Sequence, residues 1–168
     1  MNNVELRRFT EDEYHMFFRG YASDPMMDSS PFHYNHEQVQ RSYIYNHGGY
    51  RDHYEHYGIF LNSIPVGSFQ LKRIDAERKT CEFGIILQND SVKNRGIGTE
   101  AIRKGIQLAH EKYGIVTVFG DTMARNNRMI HIFEKLGFIR TETVPQAFVL
   151  SDGSKEDRLV YCKKITEE

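Results

Sequence analysis

Apolar residues in this 168-residue chain follow two spacings, every second residue in some segments and every third or fourth in others. The first spacing is that of a strand with one buried face, and the second is that of an amphipathic helix. Helix boundaries are marked as well, because Thr10 precedes three acidic residues and Gly114 follows the third helical run. The segments predicted in this way are, in order, a strand at 4–9, a helix from 11 that ends before 24, a helix at 37–46, strands at 54–61, 66–74 and 80–87, a helix ending at 113, a strand at 115–120, a helix at 127–136, and strands at 138–143, 147–150 and 158–165 with a hairpin turn at 151–154.

Together these segments predict an α/β fold. Most successive strands are separated by short polar turns, so we expect a mixed, mostly antiparallel sheet that is parallel only around the crossover helices. The length of 168 residues fits a single domain spanning 1–168.

Composition narrows the classes of function. The formal net charge is −1, which disfavours nucleic acid as a partner. No apolar run approaches the ~20 residues that a membrane span needs, and the first residues lack the apolar centre of a signal peptide. Cys81 and Cys162 lie far apart in strand-like runs, so free thiols in a reducing cytoplasm are the simplest interpretation.

A glycine loop is the most informative local feature. Residues 92–100 read Val-Lys-Asn-Arg-Gly-Ile-Gly-Thr-Glu, after a strand-like run and before a helical one. Backbone N–H groups near Gly96 and Gly98 can point at one anion, and the positive end of the helix dipole adds to the attraction. The loop therefore predicts a phosphate site for a nucleotide-like cofactor.

Two other phosphate loops compete with this interpretation. The triphosphate loop requires a lysine directly before a serine or threonine, but Thr99 follows Gly98. The dinucleotide fingerprint is met by Gly96, Gly98 and Ala101, with Asp121 as the ribose-binding acid. However, residues 88–95 separate the strand from the glycines, and only the 47 residues 122–168 follow Asp121. An NAD-binding oxidoreductase is thus a remote alternative.

The third interpretation fits two motifs at once. Lys93-x-x-Gly96-x-Gly98 resembles the Gln/Arg-x-x-Gly-x-Gly/Ala loop of the GCN5-related N-acetyltransferase (GNAT) superfamily. Residues 126–138 resemble the later helix of that superfamily, Asn-x-x-Ala/Ser-x-x-x-Tyr/Leu-x-Lys-x-Gly-Phe. The sequence after Gly96 is closest to the subgroup of ribosomal-protein N-terminal acetyltransferases. The resemblance implies a twisted, mostly antiparallel sheet of about six to seven strands with about four helices on both faces.

The resemblance also implies a cofactor and its contacts. In that superfamily the loop holds the pyrophosphate of acetyl-CoA, and pantetheine pairs with the backbone of the strand before the loop. The residues implied here as cofactor contacts are Ile85, Ile86, Leu87, Lys93, Asn94, Arg95, Gly96, Ile97, Gly98, Thr99, Asn126 and Phe133. Asn126 can equally serve as a helix N-cap, and one side chain can do both.

The implied chemistry is transfer of an acetyl group to a primary amine by direct attack. Glu82 is the candidate general base, with a carboxylate paired to Lys or Arg as the alternative. Tyr161 is a second candidate, as acid or substrate contact, against a core tyrosine. Phe133 occupies the position of a tyrosine acid in many members, and phenylalanine cannot donate a proton. A non-catalytic acyl-CoA sensor therefore stays open as the rival function.

Further partners are less determined. His33 and His36, like His53 and His56, have a spacing that invites a metal, but no cysteine or carboxylate pattern completes a zinc site, so we expect none. The acceptor is a protein N-terminus or a small-molecule amine, and a homodimer is left open.

Overall fold

The computed structural model describes residues 3–27 and 30–165. Within these ranges no helix is long and apolar enough to cross a bilayer. The strands and helices are β1 (Val4–Arg7), α1 (Glu11–Arg19), α2 (His36–His47), β2 (Glu55–Leu61), β3 (Ile64–Asp75), β4 (Thr80–Leu87), a short 3-10 helix (Asp90–Val92), α3 (Ile97–Tyr113), β5 (Thr117–Met123), α4 (Asn127–Lys135), β6 (Ile139–Val149) and β7 (Lys155–Lys164).

The element order agrees with the sequence pattern, and α1 ends before residue 24 as predicted, but several strand boundaries differ. Helix α1 ends at Arg19, because the Gly20 N–H turns back to the Phe17 carbonyl. Strand β5 extends beyond the predicted end to Met123, since it continues to pair with β7. The runs predicted as separate strands at 138–143 and 147–150 form the single strand β6, which pairs with β7 on both sides of an irregularity after Val144.

The predicted fold class is confirmed. Among the described residues the strands form one seven-stranded sheet in the order β1-β2-β3-β4-β5-β7-β6. Every pairing is antiparallel except that between β4 and β5. That parallel pairing covers only Thr80 to Glu82 on β4, whereas β3 pairs with β4 as far as Leu87. Beyond Glu82 the edge of β4 that faces β5 has therefore lost its partner strand.

Two apolar clusters hold helices on the two faces of the sheet. The larger one packs α3 and α4 against the sheet, and Gly105 lets α3 approach closely, since a Cβ there would lie 2.2 Å from the Phe69 ring. The smaller one packs α1 and α2 on the other face through Phe17, Val39 and Phe60. Successive residues of β2 and β4 point to opposite faces, so each strand contributes to both clusters.

A buried histidine, His56, and a half-buried one, His47, lie beside the smaller cluster. The Nε2 atom of His47 is 3.0 Å from Nδ1 of His56, and both rings lie against Phe9. Burial lowers the pKa of His56 to about 3. Burial, with the nearby charge of Arg8, lowers the pKa of His47 to about 4. Both rings are therefore neutral near pH 7, and one donates to the other.

This pair makes stability depend on pH. Above the ordinary histidine pKa of 6.5 its contribution is complete, and it is lost as the pH falls from there towards the folded-state values. We expect the free energy of unfolding to fall between about pH 6.5 and about pH 5, by at most about 1.4 kcal/mol per pH unit for each histidine. Urea unfolding at several pH values measures this.

The control variant is His131→Gln, because His131 is exposed and lies outside this pair. The free energy of unfolding of this variant should fall with pH as it does in the wild type. Carboxylates contribute at lower pH, as for Glu13, whose bond from Arg7 lowers its pKa to about 2. Unfolding midpoints that stay constant between about pH 6.5 and about pH 5 contradict the prediction.

Candidate active site

A cavity of about 290 Å³ opens beside the part of β4 that has left β5. Strand β4, the glycine loop, α4 and the segment after α1 each contribute part of its wall. Its lining residues are Tyr21, Ala22, Ser23, Asp24, Met27, Ile85, Ile86, Leu87, Lys93, Gly98, Ile102, Asn126, Arg128, Met129 and Ile132.

The glycine loop presents an uncapped helix end to this cavity. Asn94 and Gly96 have left-handed φ angles of 59° and 77°, which turn the chain sharply into α3. Helices α1, α2 and α4 are each capped by a side chain, whereas the 17-residue α3 has no side-chain cap at Gly96. The first N–H groups of α3 are thus available to a ligand, and they carry the positive end of its dipole.

Two cations surround this helix end. The ammonium of Lys93, whose side chain is only 9% exposed, lies 3.2 Å from Asp24 and 3.1 Å from Asp90. The guanidinium of Arg128 lies 4.0 Å from the same Asp24 carboxylate. Burial alone would raise the pKa of Asp24, but the hydrogen bonds from the Met26 N–H and from Lys93 outweigh burial. The pKa is therefore lowered overall, and the carboxylate is charged. An anionic ligand at this position competes with Asp24 for both cations.

The sequence motifs locate Lys93 but not Arg128 or Asp24. Arg128 follows Asn126 by two residues, in the first turn of α4, and only the fold brings that turn to the loop. For Asp24 the sequence predicts only that a helix ends before it. Asn126 both lines the cavity and caps α4, because its Oδ1 accepts from the Met129 N–H at 3.1 Å.

The implied cofactor residues divide into three groups. Ile85, Ile86, Leu87, Lys93, Gly98 and Asn126 line the cavity. Asn94, Arg95, Gly96, Ile97 and Thr99 form the loop and the first turn of α3 without lining it. Phe133 lies in the larger core, 1% exposed.

Tyr161 lies with Phe133 in that core. The two rings stack with centroids 4.4 Å apart and planes 7° from parallel, and the Tyr161 hydroxyl accepts from Arg140 at 3.0 Å. Tyr161 is 2% exposed and lines neither this cavity nor the one beside Glu82. The structure thus gives Tyr161 the contacts of a core tyrosine, and its predicted catalytic role stays a prediction.

Glu82 lies where β4 and β5 separate, with its side chain on the face of the sheet that carries α1 and α2. It lines a second, open cavity of about 920 Å³. Its carboxylate accepts from Arg73 at 3.0 Å. The Arg73 side chain is 80% exposed, and such surface pairs are weak, so Glu82 can exchange this partner for a substrate.

The described residues do not form the dinucleotide site or the metal site that parts of the sequence suggest. Asp121, the acid of the dinucleotide interpretation, is ion-paired with Arg158 at 2.5 Å, and the mostly antiparallel sheet is not a doubly wound parallel one. Over the ranges 3–27 and 30–165, no three His, Cys, Asp or Glu side chains converge in a way that could hold a metal ion.

Comparison with known proteins agrees with this geometry. The family model of the acetyltransferase (GNAT) domain matches residues 3–139. No curated protein sequence matches the chain. Because the family model covers most of the chain, the chain belongs to the GNAT acetyltransferase family, a family of acyl transferases.

Solved structures show the same fold at low identity. A protein named Probable acetyltransferase has a TM-score of 0.83 at 16% identity, over 96% of this chain and 92% of that chain. A chimera of spermidine N-acetyltransferase SpeG from Vibrio cholerae and hSSAT has a TM-score of 0.81 at 14% identity, over 96% and 95%. The ribosomal L7/L12 α-N-protein acetyltransferase RimL, in complex with coenzyme A, has a TM-score of 0.80 at 18% identity, over 96% and 94%.

Gly98 provides a test of the loop that is independent of any ligand. A Cβ at Gly98 meets only side-chain carbons at 3.8 Å or more, so packing does not require glycine there. We expect Gly98→Ala to keep or raise the free energy of unfolding, by up to about 1 kcal/mol, because alanine is the better helix former. Chemical denaturation measures this.

Gly105→Ala is the matched control in the same helix. Its Cβ would lie 2.2 Å from the buried Phe69 ring, so it should lower the free energy of unfolding by about 1–3 kcal/mol. Equal losses in the two variants would show that Gly98 serves packing and not a close approach by a ligand.

Proposed function

We propose that the protein transfers an acetyl group from acetyl-CoA to a primary amine. The observation that carries the proposal is the uncapped start of α3 beside Lys93 and Arg128, at one end of the unpaired edge of β4. The solved relatives described above share only 14–18% identity with this chain, so the acetyl donor and the amine acceptor are proposed from the chain's own residues.

The start of α3 is suited to the diphosphate of coenzyme A. Its N–H groups have no side-chain cap, and Lys93 and Arg128 supply two positive charges. A diphosphate can accept from several backbone N–H groups at once and replace Asp24 as partner of both cations. The lining by Ile85, Leu87 and Met129 then suits the apolar part of the pantetheine chain.

The unpaired edge of β4 can hold the pantetheine part of coenzyme A. Beyond Glu82 the N–H and C=O groups on that edge have no partner strand in β5, so an extended amide chain can pair with them as an added strand does. Pantetheine contains two amides in such a chain. An N–H group of this edge near the thioester would stabilise the oxyanion formed when the amine attacks.

The reaction needs few side chains. An alkylammonium, with a pKa of roughly 10, must lose a proton before attack. Glu82 lies at the point where β4 leaves β5, and we assign it as the base, directly or through water. The amine nitrogen bonds to the thioester carbon, the C–S bond breaks, and the thiolate departs as coenzyme A. A thiolate is a fair leaving group, so the buried Phe133 and the Arg140-bound Tyr161 do not preclude turnover.

The rival function is an acyl-CoA sensor without catalysis. Phe133 favours it, because no tyrosine stands at that position. The two functions differ in one outcome: an enzyme releases free coenzyme A from acetyl-CoA when amines are added, and a sensor binds without release.

Binding of coenzyme A should follow the charges around α3. We expect Lys93→Met to weaken binding about tenfold, because it removes a charged hydrogen-bond donor from the diphosphate site. Asp24→Asn should strengthen binding, since it removes the carboxylate that competes for Lys93 and Arg128. Isothermal titration calorimetry measures both.

Pantetheine, which lacks the diphosphate, is the control ligand. It should bind weakly and with the same affinity to wild type and to both variants. No heat with coenzyme A, or equal affinity in all three proteins, would sink the proposed site.

Catalysis should depend on Glu82 more than on Tyr161. We expect Glu82→Gln to lower kcat about 10²- to 10⁴-fold, the usual contribution of a general base. Tyr161→Phe should leave kcat within about twofold, because the hydroxyl contacts Arg140 in the core. Mass detection of acetylated products across an amine panel measures both, and the reverse ranking would reassign the catalytic residue.

A further inference from the structure

Lys72 is a half-buried lysine whose ammonium has no partner among the described residues. Its side chain crosses β4 above Gly84, where a Cβ would lie 3.6 Å from both Cε and Nζ of the lysine. Strand pairing places Lys72 directly opposite Glu82. The lysine is therefore the cross-strand neighbour of the residue assigned as base, and its ammonium lies towards Gly84.

The remaining charges of the 920 Å³ cavity do not neutralise Lys72. Glu82 is engaged by Arg73, and Asp75 accepts from the Arg78 backbone N–H and lies 3.8 Å from the Arg78 guanidinium. The other acids of the lining, Asp52 and Glu77, are exposed, where water screens their charge. A partly desolvated ammonium without a counter-ion favours an anionic partner.

A second cation of this cavity is also held in place. Arg51 lies over the Tyr54 ring at 3.4 Å, and it donates to Asn46 at 2.9 Å. Burial raises the pKa of Tyr54 to about 12, so its hydroxyl keeps its proton. The lining of the cavity thus carries a second positive charge, which Tyr54 and Asn46 hold in place.

The strand register puts Lys72 and Glu82 within reach of one acceptor that carries both charges. Residues directly opposite on antiparallel strands have Cβ atoms roughly 5 Å apart. An amine and a carboxylate on the same carbon can then meet the two side chains together, the ammonium at Glu82 and the carboxylate at Lys72. The ammonium gives its proton towards Glu82, and the freed amine attacks a thioester held along β4.

We propose that Lys72 selects acceptors with a carboxylate next to the amine, and that the acceptor is an α-amino acid. This inference rests on the proposed acetyltransferase function and deepens it. A polyamine would place a second positive charge near Lys72, and we expect it to be a poor acceptor. A protein N-terminus has an amide in place of that carboxylate and would leave Lys72 unpaired.

The test compares matched acceptors in the full-length protein. Alanine and alaninamide differ only in the carboxylate, and spermidine represents polyamines. The measured quantity is the ratio of kcat/KM for alanine to kcat/KM for alaninamide, so that intrinsic amine reactivity cancels between proteins. We expect Lys72→Met to lower this ratio about ten- to a hundredfold, because the charged contact serves only the carboxylate.

Lys155→Met is the matched control, since Lys155 is exposed on β7 and lines none of the cavities described here. It should leave the ratio unchanged. Calorimetry with coenzyme A should give the same affinity for wild type and Lys72→Met. If coenzyme A does not bind to wild type, the proposed function itself fails.

If coenzyme A binds and amines are acetylated, but the ratio is the same in all three proteins or spermidine is preferred, the inference about Lys72 fails alone. If no amine is turned over, N-acetylalanine and N-acetylalaninamide are titrated into the coenzyme A-saturated protein. Tighter binding of the carboxylate, lost in Lys72→Met, supports the inference. Equal binding or no binding overturns it.

Discussion

The whole site depends on where β4 and β5 stop pairing. The two strands are bonded from Thr80 to Glu82, and then β4 continues with β3 while β5 continues with β7. Aromatic packing accompanies the separation, because the rings of Phe83 and Phe133 lie where a side chain of Gly120 would otherwise be. The separation frees one edge of β4; one cavity lies beside Ile85 to Leu87 of that strand, and a second is lined by Glu82.

Charge then distinguishes the two sides. Towards α3, the helix dipole, Lys93 and Arg128 create a positive potential that suits an anion, and in the structure Asp24 contacts both cations. On the other side, Lys72 has no such internal partner among the described residues. An internal counter-ion stabilises the protein without ligand and weakens ligand binding, whereas an unpaired cation leaves its whole interaction to the ligand.

Local patterns in the sequence were sufficient for much of this description. The 3.6-residue and two-residue spacings located the four α-helices and seven strands of the described ranges but not the short 3-10 helix, because those periods follow from the backbone geometry of α-helices and strands. The glycine loop was readable for the same reason, since left-handed turns and an uncapped helix start are properties of a few consecutive residues. The boundaries were less certain, as β6 shows, because pairing with β7 carries it through an irregularity that looked like a break.

The sequence alone determined the order of the elements, the fold class, the position of the glycine loop and the family. Only the tertiary structure decided which side chains of each element meet. It put Tyr161 and Phe133 into the core, brought Arg128 and Asp24 to Lys93, and left Lys72 opposite Glu82 with no counter-ion in the ranges 3–27 and 30–165. The physical reason is that these contacts join residues far apart in the chain. Which face of a strand or helix is buried, and against what, depends on packing of the whole sheet.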